Sequence, residues 1–183
     1  FIEEYTEDSN VYDCYENTIQ FVNVEENIIK FLNSKLANQT FVFTHTSYWF
    51  FNVSFGDSVL QYRYDPQTQI EIDKFILGRS KGETFERKEG FLRTFYEGGT
   101  VCVINNKPRT TAVDFVCDLT VDEPGTIGSV SETTPCNYLV KFNTPLVCPI
   151  LANETVYLKE IDCIPRNPIP TPNPFESSFT IRL

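Results

Sequence analysis

Over residues 23–36, Val24, Ile28, Ile29, Leu32 and Leu36 recur at the spacing of one helical face, and Glu25, Lys30 and Lys35 lie off it. Asn23 can cap such a helix, and Glu26 stands at the capping-box position. The spacing predicts an amphipathic helix packed on a sheet, with a partner-binding helix as the alternative. From residue 39 the pattern changes to β-branched and aromatic runs. It predicts strands over 40–46 and 48–55, a turn at Gly56-Asp57, and a strand over 58–64. Residues 65–90 are rich in charge, with Ile70, Ile72, Phe75, Ile76 and Leu77 scattered among Gly78, Gly82 and Gly90. Further strands are expected at 91–96, 100–104, 110–117, 137–142 and 155–161, with a turn from Asn105 to Pro108. Residues 1–13 are acidic and carry little pattern. Pro165, Pro168, Pro170, Pro172 and Pro174 exclude a core helix or central strand and predict an extended surface arm. Short strands at regular intervals point to an antiparallel barrel or sandwich.

The charge balance narrows the partners. Fifteen Lys and Arg against 25 Asp and Glu leave a net charge of −10. That disfavours nucleic acid, whose binding rests on cations neutralising phosphates, and it disfavours anionic membranes. Sixteen Phe and nine Tyr supply the bulk of a real core, which argues against disorder. No apolar run approaches the roughly 18–20 residues of a membrane span. The six cysteines are Cys14, Cys102, Cys117, Cys136, Cys148 and Cys163, without a CxxC pair, and His45 is the single histidine. Zinc and thioredoxin chemistry are therefore disfavoured, and no metal or cofactor is expected. Disulfides and a secretory compartment are the expectation, with free thiols in the cytosol as the alternative. Three sequons agree, at Asn38, Asn52 and Asn153. No leader opens the chain, as expected of a mature or trimmed product.

The most informative stretch runs from residue 96 to 149. It holds Tyr96-Glu97-Gly98-Gly99-Thr100-Val101-Cys102, then Pro108-Arg109, then Val113-Asp114-Phe115-Val116-Cys117-Asp118. Glu132, Cys136-Asn137-Tyr138 and Thr144-Pro145-Leu146-Val147-Cys148-Pro149 follow. This constellation resembles the mannose-6-phosphate receptor homology (MRH) domain, over about residues 41–150. Tyr48-Trp49, the aromatic strand after it and Gln61-Tyr62 are similar to the branch of endoplasmic reticulum (ER) lectins of glycoprotein degradation, the osteosarcoma-nine type and its yeast relatives. The resemblance implies a mainly β fold, a flattened antiparallel β-barrel with an N-terminal helix and a proline-rich C-terminal arm. The chain then divides into an acidic, helix-bearing segment (1–40), the lectin domain (41–150) and a final strand with the arm (151–183). The family pattern implies disulfides Cys102–Cys136 and Cys117–Cys148, and Cys14 with Cys163 looks like an extra pair of the yeast-type proteins.

The resemblance also implies a sugar-binding quartet, Gln61, Arg109, Glu132 and Tyr138, with Trp49 as a flat platform for a second sugar. The chemistry suits a hexose. Arg109 offers only donors in a planar fork, and an ionised Glu132 only acceptors in strong charge-assisted bonds. Gln61 offers both kinds of group, and Tyr138 can serve as either. Other readings of single residues stay open: an Arg109–Glu132 structural ion pair, core packing for Tyr138 or Trp49, and Gln67 or Gln69 in place of Gln61. One departure stands out. The family's disulfide around the first two strands is absent, its expected positions being Phe41 and Ser54, which predicts a looser first half of the barrel. The implied function is non-catalytic: an ER-lumenal lectin for mannose of trimmed high-mannose N-glycans on misfolded glycoproteins, working with a ubiquitin-ligase or chaperone complex. The alternatives are an accessory glycan-recognition subunit of an enzyme such as glucosidase II, and a phosphomannose transport receptor.

Overall fold

The computed structural model describes residues 3–7, 10–21, 25–81, 85–154, 156–166 and 179–182. The expected capping residue Asn23, Val24, Gly82 and the proline run from Pro168 to Pro174 lie outside the described residues, as does the side chain of Glu26.

The helical stripe folds as expected. Helix α1 (Glu25–Leu36) buries Ile28, Phe31, Leu32 and Leu36 in one cluster with barrel residues that include Phe55, Phe115 and Phe142. The β-rich remainder forms two sheets. Strands β1 (Glu3–Glu7) and β2 (Asn10–Phe21) pair with β12 (Val156–Pro165) and β13 (Phe179–Arg182) in the order β1-β2-β12-β13. The acidic residues without a legible pattern thus find their partners near the other end of the sequence. Cys14 and Cys163 face each other in the β2–β12 register and are bonded.

The second sheet comprises β3 (Thr40–His45), β4 (Trp49–Ser54), β5 (Ser58–Tyr64), β6 (Glu71–Ser80), β7 (Glu86–Lys88), β8 (Phe91–Glu97), β9 (Thr110–Cys117), β10 (Thr126–Thr134) and β11 (Asn137–Thr144). Its order is β10-β11-β9-β8-β6-β5-β4-β3, with β7 paired to β8. The two end strands, β10 and β3, come side by side, so the sheet curls into a nearly closed barrel. All pairs are antiparallel except β9–β11, which is parallel. That exception follows from the connection: β10 and β11 form a hairpin, and the chain must cross over through β10 before β11 can lie beside β9.

Two expected features take a different form. Over residues 100–104 there is no strand, only an isolated bridge from Val101 to Pro108. Val101, Val103 and Ile104 are β-prone but exposed, and Cys102 is the buried residue of that stretch. Conversely, the charged stretch after residue 65 contains β6. Register shifts against β5 mask its alternation.

Phe41, at the position of the missing family disulfide, packs edge-on against Phe142 at 4.7 Å and Phe55 at 5.4 Å. Phe115 and Phe85 extend this aromatic cluster. Ser54, at the other position, hydrogen-bonds the Thr40 hydroxyl at 2.8 Å. Ring packing of this kind contributes about 0.5–1.5 kcal/mol per pair beyond area burial.

Candidate functional site

Where β3 and β10 meet, the barrel opens a cleft of about 370 Å³ lined by His45, Trp49, Phe51, Gln61, Val130, Ser131, Glu132 and Tyr138. Each wall has a local cause. Trp49 is the first residue of β4 and pairs with His45, the last residue of β3. The three residues between them turn tightly, with Thr46 and Ser47 at positive φ. Gln61 pairs with Phe51 on one side and Phe75 on the other. Gln67 and Gln69 lie instead in the β5–β6 turn and do not line the cleft.

Glu132 and Tyr138 are direct partners across the β10–β11 hairpin. Its connection is Pro135 and Cys136, the latter at φ 66°. The Cys136 backbone N–H donates to Glu132 Oε1 at 2.6 Å, which fixes one oxygen of the carboxylate. Glu132 and Arg109 make no ion pair with each other; Arg109 Nη1 instead binds loop carbonyls. Burial raises the Tyr138 phenol above its ordinary value of 10.0, and the nearby Arg109 guanidinium partly offsets this. The hydroxyl is therefore a neutral donor and acceptor across the physiological range.

Arg109 is placed differently from the other four candidates. It does not line the cleft but lies buried against Tyr138, with its Cζ 4.6 Å from the centre of the Phe75 ring. Nη1 donates to the carbonyls of Thr100 (3.0 Å) and Val101 (2.9 Å), and the buried Nε has no acceptor among the described residues. The guanidinium is thus held by its own loop through Nη1 and sits beside the Tyr138 hydroxyl, with Nε left without an acceptor among the described residues. Phe75 links the two groups of candidates, since it also lies 6.4 Å from the Trp49 ring and pairs with Gln61.

The loop carrying Arg109 is tied to the hairpin carrying Glu132 and Tyr138. Cys102 is bonded to Cys136, Asn105 donates to the Pro135 carbonyl at 3.2 Å, and the Thr110 N–H donates to the Cys136 carbonyl at 3.2 Å. Cys117–Cys148 secures the far end of β9. The loop also runs hard against β6. A Cβ on Gly99 would sit 2.4 Å from the Ile76 carbonyl oxygen and 2.9 Å from that of Arg109. Gly99→Ala is therefore expected to cost about 1–3 kcal/mol of stability, because backbone must move to admit the methyl group. Urea denaturation measures this, and a cost below about 0.5 kcal/mol, the range of a neutral surface change, would contradict it.

Reasoning from the sequence missed His45 and Phe75. His45 stood out only as a lone histidine, and Phe75 lay in a stretch with no clean alternation. Of the sequons, Asn38 is exposed just after α1. Asn52 lies within β4 and accepts from the Tyr62 hydroxyl at 3.1 Å, and Asn153 accepts from Arg87 at 2.8 Å.

No family model matches the chain. The Protein OS-9 homolog of Schizosaccharomyces pombe is 25% identical over 135 residues, covering 65% of this chain and 43% of that protein. Human endoplasmic reticulum lectin 1 is 30% identical over 128 residues, covering 56% of this chain and 26% of that protein. The chain thus matches less than half the length of these relatives. Among solved structures, the MRH domain of Yos9 complexed with alpha3,alpha6-Man5 superposes with a TM-score of 0.55 at 18% identity, covering 70% of this chain and 87% of that one. The barrel of this chain has the fold of the mannose-6-phosphate receptor homology domain.

Proposed function

We propose that this chain is a lectin of the ER lumen that binds terminal mannose of trimmed high-mannose N-glycans on misfolded glycoproteins and so marks them for degradation. The observation that carries the reading is the cleft at the β3–β10 seam, which gathers Trp49, Gln61, Glu132 and Tyr138 with Arg109 behind Tyr138. Glu132 keeps its second oxygen for a sugar hydroxyl, Gln61 and Tyr138 can each donate or accept, and Arg109 Nε lacks an acceptor among the described residues. A sugar with an equatorial 2-hydroxyl would leave one of these groups unpaired, at about 1–3 kcal/mol. Trp49 offers the flat apolar face for a second sugar. The glycan bound by the Yos9 domain, and the names of the sequence relatives, support the same ligand class and compartment. In this reading residues 41–150 form the lectin domain, and the flanking segments 1–40 and 151–183 are free to meet a ubiquitin-ligase or chaperone complex. Asn38, Asn52 and Asn153 are then acceptors for the chain's own glycans.

Binding without catalysis fits the lining. Glycoside hydrolysis generally uses two carboxylates, and Glu132 is the one carboxylate on the cleft wall among the described residues. The buried Asp114 is held by Arg93 through two hydrogen bonds, of 2.6 and 2.8 Å. A phosphomannose ligand is disfavoured, because neither Lys107 nor Lys141 lines the cleft.

A panel of immobilised glycans tests the proposal. Signal is expected on trimmed high-mannose structures ending in α-linked mannose, with little on glucose-terminated or phosphorylated forms. Retention of phosphomannose alone would replace this reading with the transport-receptor one.

A further inference from the structure

His45 shares the cleft with the proposed sugar ligands, and no described residue hydrogen-bonds its ring. It is exposed, its recorded hydrogen bonds run through its backbone carbonyl, and its imidazole has no partner among the described residues. It pairs in register with Trp49 at the mouth of the β3–β4 hairpin, so the indole and the imidazole stand side by side on the cleft wall. We propose that His45 is a further glycan contact, which hydrogen-bonds the sugar next to the terminal mannose and does so more strongly when protonated. This rests on the lectin reading and extends it to a second sugar position.

A neutral imidazole offers one donor and one acceptor, whereas an imidazolium offers two donors. Its bonds to sugar oxygens are then charge-assisted and stronger. Histidine is the side chain type that changes charge within the physiological range, so pH is the variable that separates the two states. The groups that share its surroundings do not oppose a cation. Glu132 from β10 contributes a carboxylate, Tyr138 from β11 a neutral phenol, and Gln61 from β5 a neutral amide. Arg63 from β5 lies 5.3 Å from the Tyr48 ring of the same hairpin, but it is paired with Asp73 of β6.

The test is titration calorimetry of mannose and of an α-1,6-linked mannobiose at pH 5.5 and 7.5, with the wild-type chain, His45→Gln and His45→Ala. The wild type is expected to bind the disaccharide about fivefold tighter at pH 5.5 than at 7.5, with mannose changing less than about twofold, in keeping with one strengthened hydrogen bond. His45→Gln keeps a donor and an acceptor but cannot titrate, so its disaccharide binding should be flat with pH. His45→Ala should lose much of the disaccharide's advantage while still binding mannose. A pH dependence that persists in His45→Gln, or a disaccharide advantage unchanged in His45→Ala, overturns the contact and leaves the lectin reading intact. Failure of the wild-type chain to bind mannose at either pH overturns both.

Discussion

Arg109→Ala is expected to weaken mannose binding by about a hundredfold or more, since hydrogen bonds involving a charged group contribute about 1.5–3 kcal/mol each and two would be lost. The side chain is buried, with Nη1 committed to the Thr100 and Val101 carbonyls and Nε lacking an acceptor among the described residues. In the proposed site, sugar oxygens accept from the guanidinium. The same substitution also removes the side-chain donor from the Val101 carbonyl and one of two donors from the Thr100 carbonyl, so a stability loss of about 1–3 kcal/mol accompanies it. Calorimetric titration with mannose, run beside thermal unfolding, separates the two effects. Arg109→Lys should remain poor, because one ammonium cannot both hold the loop carbonyls and present a planar fork to the sugar. Binding within about threefold of wild type in a folded Arg109→Ala chain would remove this residue from the site, since a single charge-assisted bond is already worth more than that.

Removing Cys102–Cys136 by a double alanine substitution is expected to lower stability by about 3–4 kcal/mol on the loop-entropy model. The two cysteines are 34 residues apart. The functional loss should exceed what that instability explains. The bridge joins the loop that carries Arg109 to the hairpin that carries Glu132 and Tyr138, and small misplacements of converging polar groups forfeit their joint hydrogen bonds. Mannose affinity is therefore expected to fall at least tenfold at temperatures where the variant is still fully folded. The Cys14/Cys163 double alanine is the control. It should lose stability yet keep mannose affinity, because that bridge lies in the other sheet. Equal affinity losses in the two variants would show that global stability, rather than local registration, governs binding.

Local signals carried much of the architecture. The stripe from Ile28 to Leu36 and the β-branched runs that became β3, β4, β5, β8, β9 and β11 are patterns a single element can display. Strand β10 was not legible. Its buried side chains are Ile127 and Val130, and the rest of Thr126–Thr134 reads as a polar loop. Strands β1 and β2 were hidden for a related reason, since β1 is completed by pairing with β2, and β2 by pairing with the distant β12. Val101, Val103 and Ile104 misled in the opposite direction, being β-prone side chains on an exposed turn. The candidate site came from a resemblance and not from periodicity. No local pattern could bring Trp49, Gln61, Glu132 and Tyr138 to one cleft, because the seam between β3 and β10 joins parts of the chain nearly a hundred residues apart. His45 and Phe75 were missed on the same ground, as both acquire a role only once that seam is closed.

The pairing of β2 with β12 has a consequence for the order in which the molecule is made. Cys14 and Cys163 are separated by 149 residues. At a synthesis rate of about 5–20 residues per second, β2 emerges roughly 7–30 s before the strand it must join. During that interval β1 can cover one edge of β2 while the edge that β12 will take stays open, and Cys14 is a free thiol awaiting its partner. The barrel strands between them can pair meanwhile, because most are joined to near neighbours in the chain. The nascent chain is therefore vulnerable to premature thiol exchange at Cys14, and an oxidoreductase or chaperone that shields this strand would shape the yield of correctly closed molecules.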